Sequence, residues 1–198
     1  MKTVYLNESA GSALPGTTKL FGNPDVPEDF EWPSIIDEDD IYDLTFMGQI
    51  SLRELTSLCP DHPLPKAGML YFFYDLDAMA FSPFDKTAAR VIYCADPKNL
   101  EELCLQDEDG NDLSDPPIKL SITQEESAGS HKLFGAPTGY ASAEYPRPIE
   151  GWVMLMELRS TETAEFENGG NLCFFMEADK LANADFSDVR VMIVPNDK

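Results

Sequence analysis

Apolar and aromatic residues fall into short, nearly continuous runs along this chain, separated by polar stretches rich in Gly, Pro and acidic residues. Runs of four to eight residues enriched in β-branched and aromatic side chains predict strands. On that basis strands are expected over Leu44 to Ile50, Met69 to Tyr74, Arg90 to Cys94, Ile118 to Ile122, Trp152 to Leu158, Leu172 to Met176 and Val189 to Val194. Their lack of polar alternation predicts burial on both faces, as in a central sheet. Two helices are expected. One runs from a Ser51 cap through Leu58, with Glu54 completing a capping box, and the other spans Pro97 to Leu105 with Pro in the first turn.

The runs repeat. Lys19-Leu20-Phe21-Gly22-Asn23-Pro24 returns as Lys132-Leu133-Phe134-Gly135-Ala136-Pro137, and Phe46-Met47-Gly48-Gln49-Ile50 aligns with Met154-Leu155-Met156-Glu157-Leu158. Gly68 to Phe73 matches Gly170 to Phe175, and Arg90 to Tyr93 matches Arg190 to Ile193. The offsets of 113, 108, 102 and 100 shrink in order, as a duplication with shorter loops in the second copy would give. The expected architecture is a single α+β, sheet-rich domain over residues 1–198. It is made of two duplicated β-rich units, about 19–94 and 132–194, joined by an acidic connector, 95–131. In each unit the Gly-x-Pro segment is read as a turn.

Composition adds a core and a charge. Hydrophobic residues make up 43% of the 198 and aromatics 11%, which is enough for a packed interior. Acidic residues number 36 against 14 basic ones, a formal net charge of −22. The charge comes in blocks. Nine acidic residues and no basic one lie between Lys19 and Arg53, and seven acidic residues and no basic one lie between Lys98 and Lys119. Such a chain repels nucleic-acid phosphates and anionic membrane surfaces, and its field favours a basic protein partner. The four cysteines form no C-x-x-C pair and read as reduced thiols. Met1 to Glu8 lacks a signal-peptide pattern and no stretch is long enough to span a bilayer, so a cytoplasmic setting is expected.

No motif carries catalytic chemistry. Gly11 to Lys19 begins like a P-loop, but Thr17 stands where the lysine belongs and Pro15 removes a backbone donor. Aligning Gly110 with the glycine of a calcium loop puts Leu105 and Pro116 at ligand positions, so that motif fails and no metal or cofactor is expected. Cys59 and His62 are too close in sequence to make a convincing dyad. Two sets of residues remain. Trp32, Asp37, Glu38, Asp39, Asp40 and Asp43 form the densest acidic block around a Trp, a natural anchor for a protein partner. Gln49, Glu157 and His131 are polar groups in or beside apolar strands, and a cleft between the two units is the alternative site for them.

The chain resembles the YwqG-like family of bacterial domains of unknown function. The matching elements run from Gly22 to Phe186. They include Gly22-Asn23-Pro24, Glu31-Trp32-Pro33, Phe46 to Ile50, Leu64-Pro65, Gly68 to Tyr74, His131 to Pro137 and Gly169 to Leu172. Members often carry Gly where Phe21 stands and Gln where Glu157 stands. The resemblance implies a duplicated α+β fold and a bacterial cytosolic setting, with no established activity. Some members of such families occur beside secreted-toxin genes, which implies an immunity role for a few. The expected function is therefore a non-enzymatic acidic protein-binding domain, such as an immunity protein neutralising a basic toxin. A small-ligand binder or enzyme using the inter-unit cleft, and a nucleic-acid mimic, are the alternatives.

Overall fold

The computed structural model describes residues 1–37, 40–76, 87–138, 151–161, 165–166 and 169–194. Among these residues the strands are β1 (Val4–Glu8), β2 (Lys19–Leu20), β3 (Asp25–Val26), β4 (Ser34–Asp37), β5 (Asp40–Asp43), β6 (Thr45–Ser51), β7 (Met69–Tyr74), β8 (Ala89–Cys94), β9 (Glu101–Glu102), β10 (Ile118–Thr123), β11 (His131–Leu133), β12 (Trp152–Arg159), β13 (Asn171–Glu177) and β14 (Val189–Val194). Two short helices accompany them, α1 (Leu52–Leu58) and α2 (Ala178–Ala182).

Ten strands form one antiparallel sheet in the order β14-β13-β12-β11-β1-β10-β2-β6-β7-β8. Its edges, β14 and β8, come back near each other, so the sheet is a nearly closed barrel. This corrects the α+β expectation: among the described residues strand makes up 43% and helix 8%. The physical reason lies in what covers the outer face. β7 is buried along its whole length, and its alternate residues serve two cores. Leu70, Phe72 and Tyr74 join the main interior cluster, whereas Met69, Tyr71 and Phe73 join an outer cluster. The outer cluster is covered by Phe30, Trp32, Ile35 and Leu103 from the loop, hairpin and connector segments, with no helix among the described residues involved. β13 repeats the arrangement, with Leu172, Phe174 and Met176 inward and Cys173 and Phe175 outward.

The helix expected over Pro97 to Leu105 does not form. Asn99 takes a left-handed φ of 49°, Glu101 and Glu102 pair as β9 with Val26 and Asp25, and the Leu103 N–H bonds the Pro24 carbonyl at 3.0 Å. Docking Leu103 on the outer cluster outweighs local helix propensity here. α1 does form, but without the expected local cap: Ser51 makes no side-chain cap bond. The Ser51 N–H instead reaches Thr18 Oγ1 at 3.0 Å, and the Glu54 carboxylate accepts the Thr18 N–H at 2.9 Å.

Strand order runs outward from the centre in the same sense on both sides. β2-β6-β7-β8 lies on one side and β11-β12-β13-β14 on the other. At the centre, β1 pairs with β10, and Asn7 lies opposite Ser121. β1 precedes the first half in sequence yet pairs with β11 of the second, while β10 precedes the second half yet pairs with β2 of the first. The two halves therefore exchange their leading strands. Across the interior, Phe72 meets its counterpart Phe174 edge-on, with ring centroids 5.3 Å apart.

The Lys-Leu-Phe-Gly segments show the same correspondence in backbone detail. Phe21 and Phe134 adopt left-handed φ values of 51° and 63°, each followed by a positive-φ glycine, Gly22 or Gly135. Each Phe N–H bonds, at 3.3 Å, the carbonyl of a residue sitting in a β-bulge: Met47 in β6 or Leu155 in β12. Gly22 is also packed tightly, since a Cβ there would lie 2.7 Å from the Pro117 Cβ. Gly110 has a comparable φ of 81° but open space around it. Gly22→Ala is accordingly expected to cost about 1–3 kcal/mol in urea denaturation, clearly more than Gly110→Ala. Equal losses for the two variants would mean that the contact with Pro117 contributes nothing.

Candidate functional site

Lys19 and Lys132 begin the two repeated segments, and the outward turn of each side chain places an ammonium group on a covered face of the sheet. A buried ammonium requires a carboxylate and further hydrogen bonds. In the first half Lys19 Nζ meets Asp25 Oδ1 at 3.0 Å. Asp25 Oδ2 accepts the Gly16 N–H at 2.9 Å and the Gln49 amide at 2.6 Å. Gln49 closes the ring: its Oε1 accepts the Asp25 N–H at 2.9 Å, and its amide also donates to the Thr17 carbonyl at 2.9 Å. The Tyr71 hydroxyl donates to the Asp25 carbonyl at 2.7 Å, and burial raises its pKa.

In the second half the carboxylate sits on the strand. Glu157 accepts both the backbone N–H and the hydroxyl of Thr138 at 2.6 Å, and Lys132 Nζ lies 3.5 Å from Glu157 and 2.8 Å from Thr138 Oγ1. Cys173 occupies the place of Tyr71, and burial holds its thiol well above the ordinary range. Asp25 corresponds to Thr138 and Gln49 to Glu157, so each half sets one buried carboxylate against its lysine, carried by different residues, and in the first half the exposed Glu102 also lies 3.9 Å from Lys19 Nζ. Glu in place of Gln at position 157 is thus matched by Thr in place of Asp at position 138.

His131 faces the opposite side of the sheet. Its Nδ1 accepts the Arg159 N–H at 3.0 Å, as Thr18 Oγ1 accepts the Ser51 N–H in the first half. Its Nε2 has no hydrogen-bond partner, with Glu8 Oε1 3.9 Å away. Burial, and then the Arg159 charge, lower its pKa to about 4. Gln49, Glu157 and His131 are all buried, and they lie in three different surroundings. The structure does not bring them into one cleft. His62 is buried on α1's flank with Nε2 2.7 Å from Thr56 Oγ1, and burial, then Lys66, lower its pKa to about 4 as well.

The acidic block forms a different kind of feature. β4 and β5 make a two-stranded hairpin separate from the main sheet, with Asp37 paired to Asp40 at its end. Glu38 and Asp39 lie outside the described residues. The hairpin root is fixed by the Ser34 hydroxyl on Asp43 at 2.6 Å and the Leu44 N–H on the Pro33 carbonyl at 3.0 Å. Trp32 is part of that root. Its indole N–H donates to the Leu44 carbonyl at 2.8 Å, and its ring packs edge-on against Phe73 at 5.3 Å. Beyond the root, Ile36 and Ile41 face each other across the pair, 77% and 70% exposed, with Tyr42 51% exposed. The charge pattern alone did not single out Ile36, Ile41 and Tyr42. The available signal was the pair of apolar dipeptides, Ile35-Ile36 and Ile41-Tyr42, flanking an acidic turn.

A cavity of about 320 Å³ opens at the foot of the hairpin, between Phe21, Trp32 and Phe46 on its apolar walls and Asp43, Leu113 and Asp115 at its rim. The connector builds one side of it. Asp107 accepts the backbone N–H groups of Asp109 and Asn111 at 2.9 and 2.8 Å. Asp112 accepts the Ser114 N–H and the Asn23 amide, both at 2.8 Å. The Ser114 N–H and then the Asn23 amide lower the Asp112 pKa to about 2.

Glu157→Gln strands the Lys132 charge and is expected to cost about 3–5 kcal/mol of stability. Adding Thr138→Asp, which reproduces the first half's set, should recover most of it in thermal or urea denaturation. A double variant no more stable than Glu157→Gln would disprove the equivalence of the two clusters. For the histidines, a folded pKa near 4 against about 6.5 unfolded means that the unfolded chain binds more protons between those values. Their contribution is complete above pH 6.5 and is lost as pH falls toward 4. His131→Asn, which keeps an acceptor for the Arg159 N–H, should make the stability profile flatter across that window.

Among the described residues no helix is long and apolar enough to cross a membrane. The family described as a domain of unknown function, DUF1963, matches residues 18–121, from the first buried lysine cluster through the hairpin to β10. No curated protein matches the chain.

Proposed function

The chain belongs to the DUF1963 family, a domain of unknown function, and from that premise we propose that it is a non-enzymatic binding protein whose hairpin β4–β5 docks a basic protein partner. The observation that carries the reading is the hairpin itself. It stands apart from the sheet and exposes Ile36 and Ile41 as a facing pair within the densest acidic block. Exposed apolar side chains on a projecting element supply contact energy, and the surrounding carboxylates supply steering and partner choice. The net charge of −22 extends that steering over the whole surface.

A YwqG-like placement within the family, a cytoplasmic setting and an immunity role against a basic toxin are proposals supported by the resemblance in sequence. Descent of the two halves from one duplicated unit is a proposal supported by the matching strand order, bulges and lysine clusters. The strand pairing makes the halves interdependent, because each holds the other's leading strand.

The test is a pull-down with the tagged chain and with the Ile36→Ser/Ile41→Ser variant, washed across a salt series. The expected outcome is one basic protein, retained at low salt, released progressively as salt rises and absent from the variant. Equal retention by the variant, or an empty eluate at low salt, would overturn the assignment to the hairpin.

A further inference from the structure

We propose that the cavity at the foot of the hairpin receives an arginine side chain presented by the cationic partner. The inference rests on the binding role argued above and gives it a second contact that can be tested separately.

The cavity's size and lining restrict its occupant. Its volume of about 320 Å³ lies at the lower end of ordinary ligand pockets, roughly 300–1,000 Å³, which suits one long side chain better than a cofactor. Phe21, Phe46 and Trp32 make apolar walls. The indole is held in place by its bond to Leu44 and its contact with Phe73, so an aromatic surface is already positioned. Asp43 and Asp115, both exposed, are the acidic residues of the lining, and no lysine or arginine is among the described lining residues. Asp43 commits one oxygen to Ser34. The fitting group is apolar along its stem and cationic at its tip. Arginine meets this better than lysine, because a guanidinium is planar, weakly hydrated, stacks on indole and bonds carboxylates in parallel pairs.

The second half provides an internal comparison. Gly135, Ala136, Trp152, Val153 and Met154 line a cavity of about 390 Å³. These residues correspond to Gly22, Asn23, Leu44, Thr45 and Phe46 of the first. No carboxylate is among the described residues lining it. The hollow beside the Phe-Gly turn and the β-bulge is therefore common to both halves, and among the described residues only the first has an acidic rim. The chain also satisfies one tryptophan with a guanidinium of its own. Arg190 lies 4.9 Å from the Trp152 ring centre and bonds Asp188 at 3.1 Å. The same trio of indole, guanidinium and carboxylate would form at Trp32 once a partner supplied the arginine.

The chain has two tryptophans, so Trp152→Phe leaves Trp32 as the sole fluorescent reporter of the cavity. Acetylated, amidated pentapeptides with a central arginine, lysine or citrulline are titrated into it, and calorimetry of the unsubstituted protein reads the same constants. Arginine should bind about tenfold or more tighter than citrulline and severalfold tighter than lysine. Asp115→Asn, which leaves the Ser34–Asp43 bond intact, should weaken the arginine peptide about tenfold. Equal binding of arginine and lysine peptides would reduce the effect to the general field and overturn the proposal, as would indifference to Asp115→Asn. If the hairpin variant loses the whole partner while the peptides show no arginine preference, the cavity proposal fails and the hairpin reading stands. If the peptides show the arginine preference while the hairpin variant retains the partner in full, the cavity proposal stands and the hairpin reading fails.

Discussion

The pairing of β1 with β10 is the contact on which the single sheet depends. Without it the strand order divides into two five-stranded sheets, β14-β13-β12-β11-β1 and β10-β2-β6-β7-β8. Because each of those sheets contains a strand that the chain threads in from the other half, the join also fixes how the halves face each other. Phe72 and Phe174 can then meet inside the barrel, and α1 and α2 add Leu52, Leu55 and Leu181 to one continuous interior. The outer face remains to be covered, and on the first half the described residues that cover it come from irregular segments and the hairpin. The hairpin root and the connector dock there, and the cavity is the space they leave between them.

Covering that face has an electrostatic consequence. Lys19 and Lys132 are carried into it by strands whose register is set by the core, so a carboxylate must accompany each. The position of that carboxylate is not constrained to one residue. It comes from the short outer strand β3 as Asp25 in one half and from the sheet strand β12 as Glu157 in the other. Substitutions at these places are coupled in pairs, since changing one member alone leaves a charge or a donor unmatched. The conspicuous polar residues of the strands are thus accounted for by the fold's own requirements, which directs attention for function to the exposed hairpin and its root.

Strand positions were legible because composition and burial agree. The runs at Met69 to Tyr74 and Val189 to Val194 became strands with those bounds. What could not be read was the covering layer. Continuous apolar strands are equally compatible with helices or loops packed over them, and the choice of loops depends on Trp32, Phe30 and Leu103 reaching the sheet from distant segments. The Pro97 to Leu105 helix failed for the same reason, because its alternative was pairing with Asp25 and Val26 far away in sequence. In the candidate site, the acidic block coincided with the segment that folds as the separate hairpin, but Gln49 and Glu157 stood out in sequence only because they are polar. Period-two alternation places residues on a face without revealing whether that face holds a cleft or a closed ion pair.

The exchange of leading strands also orders events in time. The Ser121 hydroxyl bonds the Asn7 carbonyl across 114 positions of chain, and β2 waits for β10 from a similar distance. Loop closure on that scale must be met before either pairing can repay it. During synthesis the first half therefore emerges with β2 unpaired on one side and its hairpin isoleucines already displayed, and it stays so until the connector has left the ribosome. A nascent chain in that condition is exposed to wrong strand pairing, and the density of negative charge around the hairpin would keep neighbouring copies apart over that interval.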